Sequence, residues 1–412
     1  MNVVLRSFRR ATLTLLLTPV VAASAAPSIS AQTTCRNTPG ERDVRVPLPG
    51  RAFHAIASSD GCWIFVSMQA APDSSVAGIA VIKRMDRGAS LARVVVSPPQ
   101  LSRPNVFGLA LTHDGRVLIA ASLDRLTFYD VARLTSGAGD AMLGVLHGEA
   151  SLPGYFHLSV TANDRYLFAS NHADTLITII DLAEARRSSF ATIPVVGKIP
   201  VGFGPASVVL SSDERLLYVA TQYAADSWHW PTVCRAPLAQ PGAPPNRTKG
   251  AIQVIDAARA VADPAHAVLA TASAGCEPVR LVLSPAGDRA YVTARSDNTL
   301  IAFDTRRLVA DSAHAVLGIV PMQAGPVGIS VVRDGRIAVT NALRFTGVTN
   351  DSESVTLVDA GRVASGRAAI IGRYTFGSGP VDLSLTSDGR TLIVTNFESR
   401  ALFLVNVDEL KP

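Results

Sequence analysis

Short apolar runs separated by turn-forming residues recur along most of the chain. The clearest copy is Leu281-Val282-Leu283, then Ser284-Pro285-Ala286-Gly287-Asp288, then Ala290-Tyr291-Val292-Thr293. Asn298 opens a third run, Thr299-Leu300-Ile301-Ala302-Phe303, which ends at Asp304. Period-2 runs joined by tight Pro/Gly/Asp turns predict a β-meander. The turn after the first run occurs seven times, at Asp60-Gly61, Asp114-Gly115, Asn163-Asp164, Asp213-Glu214, Ala286-Gly287, Asp334-Gly335 and Asp388-Gly389. The spacings between successive copies are 54, 49, 50, 73, 48 and 54 residues. A unit of about 50 residues with four strands predicts a seven-bladed β-propeller, all-β in class.

The seventh unit reaches Val405-Asn406-Val407-Asp408 with three strands only. A segment resembling a fourth strand, Val44-Arg45-Val46-Pro47-Leu48-Pro49-Gly50, stands at the other end of the chain. The N-terminal strand is therefore expected to complete the last blade and close the ring, which removes two open sheet edges. The 73-residue spacing contains an insertion over residues 222–249, rich in Pro and carrying Trp228 and Trp230.

Composition changes the picture mainly at the N-terminus. Arg6, Arg9 and Arg10 precede the apolar run Ala11 to Val21, and small residues follow to Ala31. This is the pattern of a secretory signal peptide over residues 1–31, with cleavage after Ala31 or Ala25, and its apolar core is too short to span a bilayer. Residues 32–412 are expected to form one domain, located in the periplasm or secreted, monomeric, with no membrane span after processing. Losing the three arginines lowers the net charge from +5 to +2, and no basic block suited to nucleic acid remains.

The four cysteines suit two disulfides in an exported protein. In a propeller Cys234 and Cys276 fall on the top face, where the innermost strands begin, whereas Cys35 and Cys62 fall at the bottom. The expected pairs are Cys234–Cys276 and Cys35–Cys62, with buried free thiols as the alternative. No CxxC, CxxCH or Cys/His spacing of a metal site occurs, so no metal is expected and no cofactor is indicated.

The form Ser284-Pro285-Ala286-Gly287 through Tyr291-Val292-Thr293 to Asn298-Thr299-Leu300 resembles the YVTN-type β-propeller repeat. Val339-Thr340-Asn341 and Val394-Thr395-Asn396 are two more copies. The leads Gly202-Phe203-Gly204-Pro205 and Gly377-Ser378-Gly379-Pro380 are also similar to that family and to lactonase-type propellers. The resemblance covers nearly all of residues 43–409 and implies the seven-bladed fold. Because this scaffold carries binding proteins, lactonases and redox proteins, it implies no single function.

Aligned on the turns, the first residues of the innermost strands read His54, Gly108, His157, Ser207, Arg280, Gly328 and Asp382. Such residues point into the axial channel, where two imidazoles, a guanidinium and a carboxylate would shift one another's pKa and suit anion binding or proton transfer. Polar lining of a wet channel is the plain alternative. A second layer is expected from the top ends of the second strands, among them His172, Gln222, Arg295 and Glu398. The Trp228/Trp230 loop is a candidate recognition element or lid, or else packs on the propeller.

Three functions follow as expectations, the last of them a redox propeller whose channel would hold a cofactor of unknown identity and unidentified ligands. The first is a non-catalytic binding module that takes an unidentified protein or small-molecule ligand at its top face and channel, through His54, His157, Arg280, Asp382, His172, Trp228 and Trp230. The second is a lactonase-type hydrolase using His157, Arg280 and Glu398. No G-x-S-x-G nucleophile elbow is present.

Overall fold

The computed structural model describes residues 43–85, 88–97, 105–148, 154–235, 246–343 and 353–411. Cys35 and the expected signal peptide lie outside them. The described residues form seven four-stranded antiparallel sheets and one two-stranded ribbon. In six blades the strands follow chain order from axis to rim, starting at Arg51, Val106, Tyr155, Phe203, Pro278 and Pro326. The seventh takes Pro380–Leu385, Thr391–Asn396 and Ala401–Asn406 from the C-terminus and Asp43–Pro47 as its outermost strand, with Asp43 opposite Val405 and Pro47 opposite Ala401. The ring is thus a seven-bladed β-propeller closed by its N-terminal strand.

Seven apolar clusters hold the ring, each built from two neighbouring blades. Phe128 of blade two meets Phe190 of blade three at 5.3 Å, and Val46 of the closing strand packs with Ile64 and Leu402. A blade with both faces covered buries nearly every side chain of its middle strands, so Ile64-Phe65-Val66-Ser67-Met68 reads as a continuous apolar run rather than a strict alternation. The hydrophobic effect between blades, not within them, is the main stabilising term.

The turns recur for a local reason. A Ser or Thr hydroxyl donates to an Asp or Asn two residues on, as in Ser58–Asp60, Thr112–Asp114, Thr161–Asn163, Ser211–Asp213 and Thr386–Asp388. The next residue is left-handed: Gly61, Gly115, Asp164, Glu214 and Gly389 have φ between 54° and 70°.

The Asp or Asn that ends each third strand has a role not expressed in the strand pattern. Asp130, Asp181, Asp256 and Asp304 accept a backbone N–H three residues on and cap four one-and-a-half-turn α-helices, while Asp359 and Asn406 cap 3-10 turns. Asp263-Pro264-Ala265-His266 and Asp311-Ser312-Ala313-His314 then form matching turns in which the histidine Nδ1 meets the Asp carboxylate at 2.9–3.1 Å. The expected all-β chain carries these short helices because a capping side chain outcompetes strand propensity at each exit.

Candidate functional site

Every innermost strand breaks register one to three residues after it starts, at Phe53, Phe107, Phe156, Ala206, Val279, Val327 and Val381. A β-bulge re-aims side chains, and here two successive residues per blade turn toward the axis. The result is two stacked rings: apolar residues above, and directly below them His54, Gly108, His157, Ser207, Arg280, Gly328 and Asp382.

The bulges are held by the hydroxyl of the VT, VS or AS pair on the second strand. Ser67, Ser170, Thr293 and Thr340 accept the N–H of His54, His157, Arg280 and Gly328, respectively. Thr293 also donates to Val327 O of the next blade (2.8 Å), and Thr395 to Phe53 O (3.0 Å). The Thr of the repeat therefore staples a bulge to its neighbour. The following Asn accepts from the third strand, Thr178 on Asn171 and Thr356 on Asn341.

The upper ring is floored by three phenylalanines. Phe53, Phe107 and Phe156 lie 5.2–5.5 Å apart in all three pairs, although blades one and three are not adjacent, so the rings meet at the axis. Val279, Val327 and Val381 close the other side with Ala342 and Phe397. His172 stacks on Phe156 at 4.6 Å. Burial, then the Arg295 and Arg280 charges, push its pKa down to about 4.

In the lower ring Asp382 bridges two partners. Its Oδ2 lies 2.9 Å from His54 Nδ1, in an ion-pair contact off the line of a directed N–H bond, and its Oδ1 lies 3.4 Å from Arg280 Nε. Burial pushes the Asp382 carboxyl up, but the His54 and Arg280 charges outweigh it and hold the group below the usual carboxylate range. Arg280 spans the axis: its Nη1 donates to Ala206 O and Val279 O, and its guanidinium lies 5.2 Å from the Phe156 ring and 5.8 Å from Phe53. His157 Nδ1 accepts the Val208 N–H, and burial followed by the Arg280 and His54 charges lowers its pKa to about 3. His54 and His157 meet edge to face at 6.2 Å.

Two glycines make this crossing possible. A Cβ on Gly108 would lie 2.2 Å from Phe156 O, and one on Gly328 would lie 2.7 Å from Asp382 Cα. They leave room for His54 to reach His157 and for Arg280 to reach Asp382.

Four of the expected site residues, His54, His157, Arg280 and Asp382, are thus brought together, with His172 one layer up. Glu398 is not with them. It pairs with Arg51 at 3.1 Å, while Arg51 lies over Phe397. Trp228 and Trp230 pack on each other at 5.3 Å, half-buried. Their loop is tied by the Cys234–Cys276 disulfide and by pairing of Cys234–Arg235 with Asn246–Arg247. Cys62 is also disulfide-bonded, and Cys35, its expected partner, lies outside the described residues.

Three features were not read from the sequence. The Phe floor was concealed because the bulge makes position 53, not only 54, face the axis. Glu277, left-handed at φ 53°, accepts from Tyr223, Ser296 and Arg295 and joins the upper loops of blades four and five. Burial raises its pKa, yet Arg295 and the donors leave it lowered overall. The Arg186–Asp114 pair (2.7 Å), beside Asp164, joins blades two and three underneath. Among the described residues no group of three or more His, Cys, Asp or Glu is arranged to hold a metal, and no helix is long and apolar enough to cross a membrane.

These features define the class: a seven-bladed propeller whose axial channel is crossed by a charged layer under an aromatic floor. The chain is similar to hydrazine synthase of Kuenenia stuttgartiensis, at 16% identity and a TM-score of 0.60 over 88% of this chain and 97% of that one. It is similar to the β-propeller domain of Cps50 (Swd1) from Myceliophteria thermophila, at 12% identity and a TM-score of 0.58 over 87% and 98%. A chain of the mitotic checkpoint complex aligns at 12% identity and a TM-score of 0.62 over 96% and 99%. At such identities the likeness establishes the fold alone. No protein-family model matches the chain, and no curated protein matches it.

Proposed function

We infer that the protein is an exported binding module that receives a protein or small-molecule ligand on its top face, over the aromatic floor of the axial funnel. The observation that carries this reading is the arrangement of the two rings. The Arg280 and Asp382 charges compensate one another beside His54, and Phe53, Phe107 and Phe156 lie between them and the upper mouth. A reacting group above that floor is held from the His54 and His157 imidazoles, whereas an apolar or aromatic ligand surface finds three rings, His172 and the Trp pair. The disulfide Cys234–Cys276 and the basic, apolar N-terminus support export to an oxidising compartment.

The hydrolase reading has one observation in its favour: the Asp382 carboxylate lies 2.9 Å from the His54 imidazole, which places a carboxylate beside a potential base. Against it, Glu398 is committed to Arg51, and His157 Nδ1 to a backbone N–H.

One pair of assays decides between them. The immobilised protein is expected to retain a partner from its host's periplasmic or secreted fraction, with retention falling about tenfold or more in Trp228→Ala/Trp230→Ala. Unchanged retention in that variant rejects the role of the loop. Turnover of simple lactones that disappears in His54→Ala and Arg280→Ala, with retention unaffected, would replace the binding reading with the enzymatic one.

A further inference from the structure

Charge on the upper loops is settled pair by pair except at one corner. Arg51 ends on Glu398 at 3.1 Å, Arg125 on Asp124 at 2.6 Å, Arg295 on Glu277 at 3.2 Å and Arg400 on Asp73 at 3.0 Å. The blade-four insertion departs from that rule. Residues 222–249 hold Arg235, Arg247 and Lys249 against a single acid, Asp226. None of these four side chains makes an ion pair with a described residue, and Arg235, Lys249 and Asp226 are exposed.

Arg247 is held in place. Cys234 lies opposite it on the short ribbon and is bonded to Cys276. Just beyond, the Ala224 N–H reaches Thr248 Oγ1 and Lys249 O, both at 3.0 Å. The half-buried guanidinium lies 5.1 Å from the centre of the Tyr223 ring, and its N–H groups make no hydrogen bond to a described residue. Tyr223 is fixed in turn. Its hydroxyl donates to Glu277 at 2.7 Å, and burial followed by the Glu277 charge pushes its pKa up, so the proton stays. Glu277 is already shared by Arg295, Ser296 and Tyr223, and no ion pair joins it to Arg247.

Beside them stands Phe203, the only exposed Phe, Tyr or Trp side chain among the described residues, at 41%. It sits directly across from Tyr223 on the neighbouring strand, with the two rings stacked at 6.3 Å. A guanidinium braced on an aromatic ring keeps its planar fork for a carboxylate, and an exposed ring at its side accepts an apolar neighbour. Arg and aromatic side chains on a fixed loop are the kind that dominate binding energy. The surplus positive charge of Arg235 and Lys249 favours the approach of negative charge.

We propose that this corner of blade four takes an acidic segment of a partner protein, with an Asp or Glu for Arg247 flanked by an apolar or aromatic residue for Phe203. The inference rests on the top-face binding reading and names the chemistry of the partner there.

The test selects a displayed library of random peptides on the full chain, with the Arg247→Gln chain as the comparison. Peptides enriched on the parent are expected to carry Asp or Glu beside an aromatic or aliphatic residue. A synthetic copy of the leading sequence should bind about tenfold or more weakly to Arg247→Gln and to Phe203→Ala, and more weakly as sodium chloride is raised. Arg259→Gln, which removes a charge from the short helix Ala257–Ala262 on the lower face, should leave its affinity unchanged. Enriched peptides without acids, or equal binding by Arg247→Gln, overturn the proposal. Tighter binding of a sulfated oligosaccharide than of any selected peptide also overturns it, and assigns the corner to a polysaccharide. If a host partner is lost in Trp228→Ala/Trp230→Ala yet fully retained by Arg247→Gln, the top-face reading stands and the acidic segment falls. Should Arg247→Gln not fold, Phe203→Ala and a peptide copy with amides in place of its carboxylates decide the matter.

Discussion

At the scale of single residues the two depressed histidines give the protein a measurable acid response. His157, at about 3, and His172, at about 4, stay neutral in the folded chain, whereas an unfolded histidine takes its proton near pH 6.5. Between those limits the unfolded chain binds more protons, so stability is complete above about pH 6.5 and falls as the pH drops. The slope is at most about 1.4 kcal/mol per pH unit for each histidine. The carboxylates act lower. Asp114, which burial raises but Arg186 and Thr112 bring down to about 2, and Asp382 contribute stability that is lost only below about pH 4. Urea midpoints taken from pH 8 to 4 should begin to decline near pH 6.5, and His157→Gln should flatten that decline; a level profile down to pH 4.5 rejects the neutral assignment. The buried pair gives a second test. Asp382→Asn keeps the shape but strands the Arg280 charge and should cost about 3–5 kcal/mol in urea unfolding, much of it recovered by adding Arg280→Met. Which ionisable residues meet was legible from their equivalent places after each turn. Their partners were not, because the reach of Arg280 across blade six depends on the missing side chain of Gly328, a three-dimensional effect with no local signature.

At the scale of the strand and its turn, one four-strand pattern carries nearly all of the fold. The turn hydroxyl, the left-handed residue, the staple hydroxyl and the capping Asp each recur at fixed offsets, and local rules that agree at every level make the blade legible from sequence. What pattern reading misses is what leaves hydrophobicity unchanged: a bulge shifts register by one residue while Phe53, Phe107 and Phe156 stay apolar either way. The staple can be tested at the ring's seam, where Thr395 Oγ1 donates to Phe53 O and Asp382 O. Thr395→Val removes the donor at constant volume and leaves a carbonyl of blade one unmatched. The expected loss is about 1–3 kcal/mol in chemical denaturation, against a few tenths for Thr175→Val, a hydroxyl in an exposed turn. Similar losses for the two would reject the staple.

At the scale of the whole molecule, stability rests on closing a ring whose ends come from the two ends of the described chain. Each interface between blades buries a comparable apolar cluster, so opening one interface exposes two faces at once and leaves the other six to carry the sheet order. The seam between blades seven and one has reinforcement that the sequence did not express. The Arg84 side chain donates to Thr391, Ser387 to Ser59 O, Leu48 N to Arg400 O, and Arg400 pairs with Asp73. The closing strand contributes Val46 (2% exposed) and Leu48 (7%) to the same cluster as Ile393 and Leu404. Without it Ala401–Asn406 becomes a bare edge with a row of unpaired backbone groups, the condition that favours strand exchange between copies. A chain beginning at Arg51 is therefore expected to self-associate and to melt well below the parent. A synthetic peptide spanning residues 40–50 should restore both the monomer and the midpoint, because main-chain pairing along an open edge carries the recognition. Sedimentation velocity and calorimetry with and without the peptide make the measurement. A truncated chain that stays monomeric and melts with the parent would mean that the ring is held by its blade interfaces alone.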